Sequence, residues 1–322
     1  MAKTKRLFKS FSKLLLPVII LLILAAAAAA VWLNYKTAHP QNAVYLVTPE
    51  KFGQLSARAA QVTEETWTNS NETQSRGWLL KGADSAPAVV LLHRYGADRS
   101  HVLNMGVKLN ESTNYTILMP DARGHGEKPA LKNTSFGGCE GEDILGAIEF
   151  LRGLKSSPDK ALVGTNIGIY GIEMGAMTAM TAAAKDATVK ALVLDSVPQS
   201  SDDLLAAAVE RQFPFASSIT AKFAQTGTYL YFFDGCYRRG APCETAQTIA
   251  DRNVLLLAGS DAPRFQDSTS RLAKCFPNTT KVESKTDLSP SGYSIINASL
   301  EQSEVYDQRV IEFFKANLGS EK

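Results

Sequence analysis

Unbroken runs of apolar residues recur along the chain, and each run is short and bounded by polar residues. Such runs are typical of strands that are buried on both faces of a parallel sheet. We predict strands at residues 88–92, 115–120, 167–171, 190–195, 253–259 and 280–283, and amphipathic helices at 142–151 and 306–318. Because strands and helices alternate, the pattern predicts an α/β protein with a doubly wound, mostly parallel sheet.

Two segments depart from this alternation. Residues 62–80 alternate irregularly around the polar turn 69–72, which predicts two edge strands. Residues 200–251 contain two helical stretches and the aromatic patch 229–233. We interpret them as a small cap inserted over the C-terminal edge of the sheet, where open α/β sheets bind ligands. We expect the aromatic patch to pack between cap and core; a substrate-binding stripe is the alternative.

A long uncharged segment, residues 14–33, precedes the predicted domain. About twenty helical residues at about 1.5 Å each span the roughly 30 Å hydrocarbon core of a bilayer, so this segment predicts a transmembrane anchor. Residues 1–13 carry five basic residues and no acidic residue, which predicts a cytoplasmic N-terminus and an extracytoplasmic (periplasmic or extracellular) domain. The alanine tract also permits a cleaved signal peptide, and both interpretations export the domain. Residues 34–60 then form a juxtamembrane segment before a domain at 61–318.

Composition and charge argue against some classes of function. The chain has 322 residues, 45% of them hydrophobic, which is enough for one large domain with a sizeable core. Its net charge is +2, and outside residues 1–13 acidic residues slightly outnumber basic ones. This balance argues against a nucleic-acid-binding surface. The sequence has neither a Cys-x-x-Cys pair nor a histidine cluster, so we expect no metal and no cofactor.

The cysteines number four: Cys139, Cys236, Cys243 and Cys275. An even count in an exported domain is compatible with disulfides. Cys236 and Cys243 flank a turn-rich loop, which is compatible with a local bridge between them, and buried free thiols are the alternative.

The segment Gly171-Ile172-Glu173-Met174-Gly175 follows a predicted strand and opens an alanine- and methionine-rich helix. A strand, a glycine-flanked tight turn and a helix with the pattern G-x-S-x-G form a nucleophile elbow. The glycines are required because the turn is strained and neighbouring backbones approach closely. Here Glu173 stands in the place of the nucleophile.

With this elbow the chain resembles the α/β-hydrolase superfamily, in particular the membrane-anchored bacterial serine hydrolases related to monoacylglycerol lipases and prolyl-oligopeptidase-like peptidases. The likeness covers roughly residues 60–318. It also rests on His-Arg-Tyr-Gly at 93–96, on Asp-Ala-Arg-Gly-His-Gly at 121–126 and on Ala-Gly-Ser-Asp at 258–261. The resemblance implies a doubly wound α/β-hydrolase fold and hydrolytic ancestry.

The resemblance also implies a Ser, Asp and His triad in that chain order. Asp261 stands where the acid of the family stands, but the loop 284–303, where the histidine is expected, contains none. The histidines of this chain all precede the elbow: His39, His93, His101 and His125. We expect His93 and His125 to brace their own loops.

The oxyanion region differs from the family as well. In the family, a His-Gly turn and the residue after the nucleophile each donate a backbone N–H group to the oxyanion. Here Arg94 replaces the glycine, Tyr95 follows it, and the second donor is the N–H group of Met174. We hypothesise that Arg94 and Glu173 form a charge-assisted pair that fills the former catalytic pocket.

These departures coincide at one site, so we treat Glu173 and Asp261 as vestigial catalytic positions. We expect a membrane-anchored pseudohydrolase that binds a small-molecule, lipid-like or peptide ligand, or a protein partner, without turnover. The alternative is an active hydrolase of esters or of acyl or peptide substrates that uses a rearranged site.

Overall fold

The computed structural model describes residues 2–40, 45, 47–54, 56–214 and 217–319. The strands are β1 (Thr63–Thr68), β2 (Gln74–Leu80), β3 (Ala86–Leu92), β4 (Thr116–Pro120), β5 (Lys155–Ser157), β6 (Lys160–Ala161), β7 (Val163–Ile172), β8 (Val189–Asp195), β9 (Asn253–Leu257) and β10 (Lys281–Lys285). The helices are α1 (Ala2–Ala38), α2 (Pro49–Phe52), α3 (Leu103–Thr113), α4 (Glu140–Gly153), α5 (Met174–Lys185), α6 (Ser201–Gln212), α7 (Ser217–Tyr231), α8 (Pro242–Ala246), α9 (Pro263–Leu272) and α10 (Leu300–Leu318). Short 3₁₀ turns lie at Ala59–Gln61, Arg99–Val102 and Ile295–Asn297.

One sheet of eight strands has the order β1-β2-β4-β3-β7-β8-β9-β10. β2 is antiparallel to both of its neighbours, and from β4 to β10 all neighbouring strands are parallel. The mostly parallel, doubly wound sheet predicted from the apolar runs is therefore confirmed. β5 and β6 form a separate antiparallel pair.

The central strands are apolar on both faces because helices cover both sides of the sheet. Val89, Val90 and Leu91 on β3 have no exposed surface. Successive side chains of a strand point to opposite faces, so Val89 and Leu91 join the core formed with α3 and α10, while Val90 faces the other side. α4 and α5 pack against each other and against β7. The unbroken runs in the sequence result from this double burial.

The chain divides into two compact units, and one of them combines Met1–Thr37 with Leu205–Gly235. Within it, Asn34 Nδ2 donates a hydrogen bond to the carbonyl oxygen of Ala224 at 2.9 Å. α1 contains one stretch, Leu15–Ala38, that is long and apolar enough to cross a membrane, and it is the only such stretch in the part of the chain that the structure describes. The second unit combines Ala38–Leu204 with Cys236–Lys322 and holds the sheet.

The aromatic patch 229–233 differs from our expectation. α7 extends to Tyr231, so the first residues of the patch belong to this helix. Tyr229, Leu230 and Phe233 are 68%, 54% and 89% exposed, whereas Phe232 is buried. The expectation that the patch packs between cap and core is therefore wrong for three of its side chains.

The cysteines form two disulfides, Cys139–Cys236 and Cys243–Cys275. The local bridge between Cys236 and Cys243 is therefore wrong, as is the alternative of free thiols. The segment around Cys236 crosses close to the start of α4, where a side chain on Gly138 would collide with the carbonyl oxygen of Cys236. This close approach brings Cys236 to Cys139, a partner that is distant in the sequence.

Candidate active site

The turn from β7 to α5 has the geometry of a nucleophile elbow. Glu173 lies between the two elements with φ 52° and ψ −108°, a conformation that costs a non-glycine residue about 1–3 kcal/mol. A β-carbon on Gly171 would collide with the carbonyl oxygen of Gly175, and one on Gly175 would lie 2.5 Å from the carbonyl oxygen of Leu92. The predicted roles of both glycines are thus present in the structure.

The side chain of Glu173 is fully buried. Its Oε2 accepts a hydrogen bond from the main-chain N–H group of Tyr95 at 2.9 Å. Tyr95 follows β3 and is itself buried, with its ring stacked on Phe136 at a centroid distance of 5.5 Å. The resemblance predicts an oxyanion donor in this turn, and such donors are catalytic when they point at developing negative charge. In this chain the group binds a carboxylate of the protein itself.

Met174, the other residue of the predicted oxyanion region, is the first residue of α5. Its side chain is buried, and Sδ accepts a hydrogen bond from Thr134 Oγ1 at 3.3 Å. The start of α5 therefore packs against the segment that precedes α4.

Arg94 also interacts with the main chain of Tyr95. Its Nη1 donates to the carbonyl oxygen of Tyr95 at 3.3 Å, and the guanidinium lies over the ring of Tyr293, 4.9 Å from its centroid. Glu173 and Arg94 thus bind the N–H and the C=O groups of one residue. The direct pair between Glu173 and Arg94 stays a prediction.

Two of the histidines use both ring nitrogens on the main chain, as expected for residues that brace loops. His93 Nδ1 donates to the carbonyl oxygen of Arg94 at 2.8 Å, and Nε2 accepts from the N–H group of Ala122 at 3.0 Å. His125 Nδ1 donates to a carbonyl oxygen in its own loop at 2.9 Å, and Nε2 accepts from the N–H group of Gly96 at 3.0 Å. Burial lowers the pKa of His93 to about 4 and that of His125 to about 3. Both rings are therefore neutral near pH 7.

Asp261, the predicted vestigial acid, binds a serine in the loop where the resemblance implies the histidine. Its carboxylate accepts from the N–H group of Ser291 at 3.0 Å and from Ser291 Oγ at 2.9 Å. The next residue, Gly292, donates its N–H group to Asp195 Oδ2 at 2.9 Å, and its carbonyl oxygen accepts from His101 Nε2 at 3.1 Å. Burial lowers the pKa of His101 to about 4.

Asp195, which ends β8, is a buried carboxylate with several donors. Its oxygens accept from Tyr306 Oη at 2.7 Å and from Ser196 Oγ at 2.6 Å, and Tyr306 in turn contacts Tyr170 Oη at 2.9 Å. Burial is the largest cause of a pKa raised to about 6. Asp195 and Asp261 together fix the Ser291–Gly292 loop against the sheet edge.

Sequence reasoning did not identify Ser291 and Gly292. The available signal was position alone: Ser291 lies 30 residues after Asp261, inside the loop where the family places its base. The residue types do not indicate these contacts, because serine and glycine are common in loops.

A cavity of about 340 Å³ lies on the side of α5 that faces residues 238–248. Its wall includes Met177, Met180 and Thr181 from α5, together with the exposed side chains of Lys185 and Arg238. In the part of the chain that the structure describes, no group of three or more His, Cys, Asp or Glu side chains is arranged to hold a metal ion.

No protein-family model matches the chain. Among solved structures it is similar to an esterase of Pyrococcus furiosus, with a TM-score of 0.62, 20% identity and coverage of 88% of this chain and 99% of that one. It is also similar to an acylaminoacyl peptidase of Pyrococcus horikoshii, with a TM-score of 0.59, 16% identity and coverage of 84% of this chain and 44% of that one. Likeness at these identities establishes the fold.

Among curated proteins, a thiohydrolase of Aspergillus aculeatus is 26% identical over 119 residues. The match covers 37% of this chain and spans about a third of the length of that relative, 36%.

Proposed function

Since this chain has the α/β-hydrolase fold, we propose that it is a membrane-anchored and catalytically silent form of that fold, which binds a ligand without hydrolysing it. One observation carries the proposal: Glu173 Oε2 accepts the N–H group of Tyr95 at 2.9 Å. A hydrolase of this fold offers that N–H group to the oxyanion of its transition state. Here a buried side chain of the protein itself occupies the donor, which is therefore not available to an oxyanion.

Among the described residues, three candidate bases are also engaged in hydrogen bonds within the protein. A general base must reach the proton that it removes. His93 and His125 each use both ring nitrogens on main-chain groups, and Asp261 binds Ser291. Loss of one oxyanion donor costs about 10²–10³-fold and loss of a general base about 10²–10⁴-fold, so together they remove most of the catalysis available to this fold.

For the ligand we propose an amphipathic molecule with an anionic group, bound in the cavity beside α5. Met177 and Met180 supply adaptable apolar contacts. Arg238 Nη2 lies 3.1 Å from Glu142 Oε1, and Lys185 Nζ contacts the same oxygen. A carboxylate or phosphate on the ligand would form ion pairs with Arg238 and Lys185 in place of Glu142.

For the location we propose that α1 anchors the chain, with the N-terminus in the cytoplasm and the domain outside it. The basic residues before the apolar stretch favour this orientation. The disulfides Cys139–Cys236 and Cys243–Cys275 suit an oxidising compartment.

Catalytic inactivity is tested by measuring hydrolysis of short- and medium-chain p-nitrophenyl esters by the full-length chain in mild detergent. Glu173→Gln and Glu173→Ser are measured in the same way for comparison. We expect all three to be folded and to show no turnover above the spontaneous rate. Turnover by the wild type that Glu173→Gln abolishes would overturn the proposal and establish the alternative, a working hydrolase with a rearranged site.

The test of the ligand measures binding of a fluorescent fatty acid to the same preparation. Ala184→Trp places a large side chain in the wall of the cavity and should abolish binding. Ala187→Trp adds the same group at an exposed position just after α5 and should leave binding unchanged. Equal binding by the two variants would contradict the assignment of this cavity.

A further inference from the structure

α7 has its small residues inside and its large apolar residues outside. The buried positions are Ala221, Ala224, Gly227 and Thr228. The large apolar residues Ile219, Phe223, Leu230 and, just after the helix, Phe233 are exposed and recur at the spacing of one helical face. Lys222, Thr226 and Tyr229 are exposed as well. A helix on the surface of a water-soluble domain has the opposite arrangement, with large apolar residues inside.

The small residues of α7 face α1. A β-carbon on Gly227 would lie 2.9 Å from Ala30 Cβ and 2.5 Å from Asn34 Nδ2, so only glycine permits this approach. Asn34 Nδ2 also donates to the carbonyl oxygen of Ala224 at 2.9 Å. Close approach over small residues, combined with a side-chain amide that binds across the contact, is typical of helices that pair within membranes.

The position of this contact along α1 fixes the depth of α7. The uncharged segment 14–33 ends at Leu33, shortly before Lys36, and Ala30 lies three residues inside that end. At about 1.5 Å per residue, Ala30 is about 5 Å from it. If α1 crosses a bilayer, the helix that touches Ala30 lies at the level of the outer part of the membrane. Trp32 and Tyr35 of α1 are about half exposed at the same level, where aromatic residues concentrate in membrane proteins.

From these contacts we propose that α7 and Phe233 are a second membrane-contacting element, which lies in the outer interface of the bilayer beside α1. The apolar side chains that face outward from α7 then contact acyl chains instead of water. The occupant of this surface is lipid, because the surface is continuous with the apolar stretch of α1 that Gly227 touches. The inference rests on the anchoring proposed above.

The test uses fluorescence quenching by brominated lipids, with the full-length chain reconstituted in vesicles of phosphatidylcholine. Trp32→Phe is the parent, because it leaves only Trp67 and Trp78, which are both buried. Phe233→Trp and Leu230→Trp are each added to this parent. Val305→Trp, at a position of α10 that is 61% exposed, is the matched control.

We expect the tryptophan introduced at position 233 or 230 to lose roughly half of its emission to bromines carried at about 5–10 Å depth. We expect the tryptophan introduced at position 305 to lose none. Quenching of native Trp32 without quenching at positions 233 and 230 would support the proposed anchoring by α1 and overturn this inference. If Trp32 is not quenched either, the proposed anchoring by α1 is wrong, and so is the inference about α7. Protection at position 233 that weakens as protein is diluted in lipid would indicate a second copy of the chain instead, and would also overturn it.

Discussion

Glu173 and Tyr95 are joined by one hydrogen bond, in which the carboxylate at the elbow accepts the main-chain N–H group at 2.9 Å. The bond is made by a residue whose φ of 52° is unfavourable for any side chain. The elbow has therefore kept a strained backbone while its side chain points back into the protein. This relationship leads to the first two predictions.

We predict that Glu173→Gly is more stable than Glu173→Ala by about 1 kcal/mol or more. Both variants lose the hydrogen bond to Tyr95, but only glycine adopts the elbow conformation without strain. Glu173→Gln keeps an oxygen for the same N–H group and should be more stable than Glu173→Ala. Urea denaturation of the three variants measures the differences, and equal stability of the glycine and alanine variants would show that the backbone is not strained.

We predict that Arg94 and Glu173 are energetically coupled. Residues in one hydrogen-bonded network show interaction energies of about 0.5–3 kcal/mol in double-mutant cycles. The cycle consists of Arg94→Met, Glu173→Gln and the double variant, with denaturation midpoints as the readout. The double variant should be more stable than the sum of the single changes predicts. Strict additivity would refute the predicted charge-assisted pair.

We predict that acid destabilises the protein below about pH 6.5. His93, His101 and His125 have folded pKa values of about 4, about 4 and about 3, below the ordinary value of 6.5. Between these values the unfolded chain binds more protons, so stability rises with pH in this window and falls as the pH is lowered. Each ring contributes on the order of 3 kcal/mol.

Four carboxyl groups oppose this trend in part. Burial raises the pKa of Asp195 and of Asp143 to about 6 and also raises the pKa of Asp98 and Asp307, which makes the folded chain the better proton binder at these groups between about pH 4 and 6. Urea midpoints across the range should nevertheless increase toward neutrality. His125→Gln should flatten the slope because it removes one titrating ring. A midpoint that increases on acidification would contradict the prediction.

We predict that the two disulfides stabilise the fold unequally. Cys139–Cys236 closes a separation of 97 residues and Cys243–Cys275 one of 32. By chain entropy, closing the longer loop stabilises the fold by roughly 4–5 kcal/mol, which is about 1 kcal/mol more than closing the shorter loop. Cys139→Ser/Cys236→Ser should therefore lower the unfolding free energy more than Cys243→Ser/Cys275→Ser. Peptide mapping under non-reducing conditions checks the pairing, and a Cys236–Cys243 peptide would contradict it.

Much of the sheet could be predicted from the sequence because double burial leaves an unbroken apolar signature, as at residues 88–92 in β3. The elbow could be predicted because both glycines stand close together in the sequence, and a β-carbon on Gly171 would collide with Gly175 inside the turn itself. Both signals are local in the chain, although the neighbour that requires Gly175 is Leu92 on β3.

The errors concern relations that are not local. The partner of Cys236 is set by a crossing near Gly138, about which the neighbouring loop carries no information. Leu230 and Phe233 suit a core or a lipid surface equally well by residue type. Only their exposure in the structure, while Gly227 of the same helix contacts α1, favours the second case. For Glu173 a cationic side chain was expected as partner, whereas the structure adds a main-chain N–H group, which every residue except proline offers and no sequence pattern marks.

The elbow also makes this chain a starting point for protein engineering. Gly171, Gly175 and the carbonyl of Leu92 shape the turn, and none of these contacts involves the side chain at position 173. A designer could therefore exchange that side chain for a nucleophile without rebuilding the backbone. The work that remains is to supply a proton acceptor near Ser291 and Asp261, where two carboxylates already hold the loop in place.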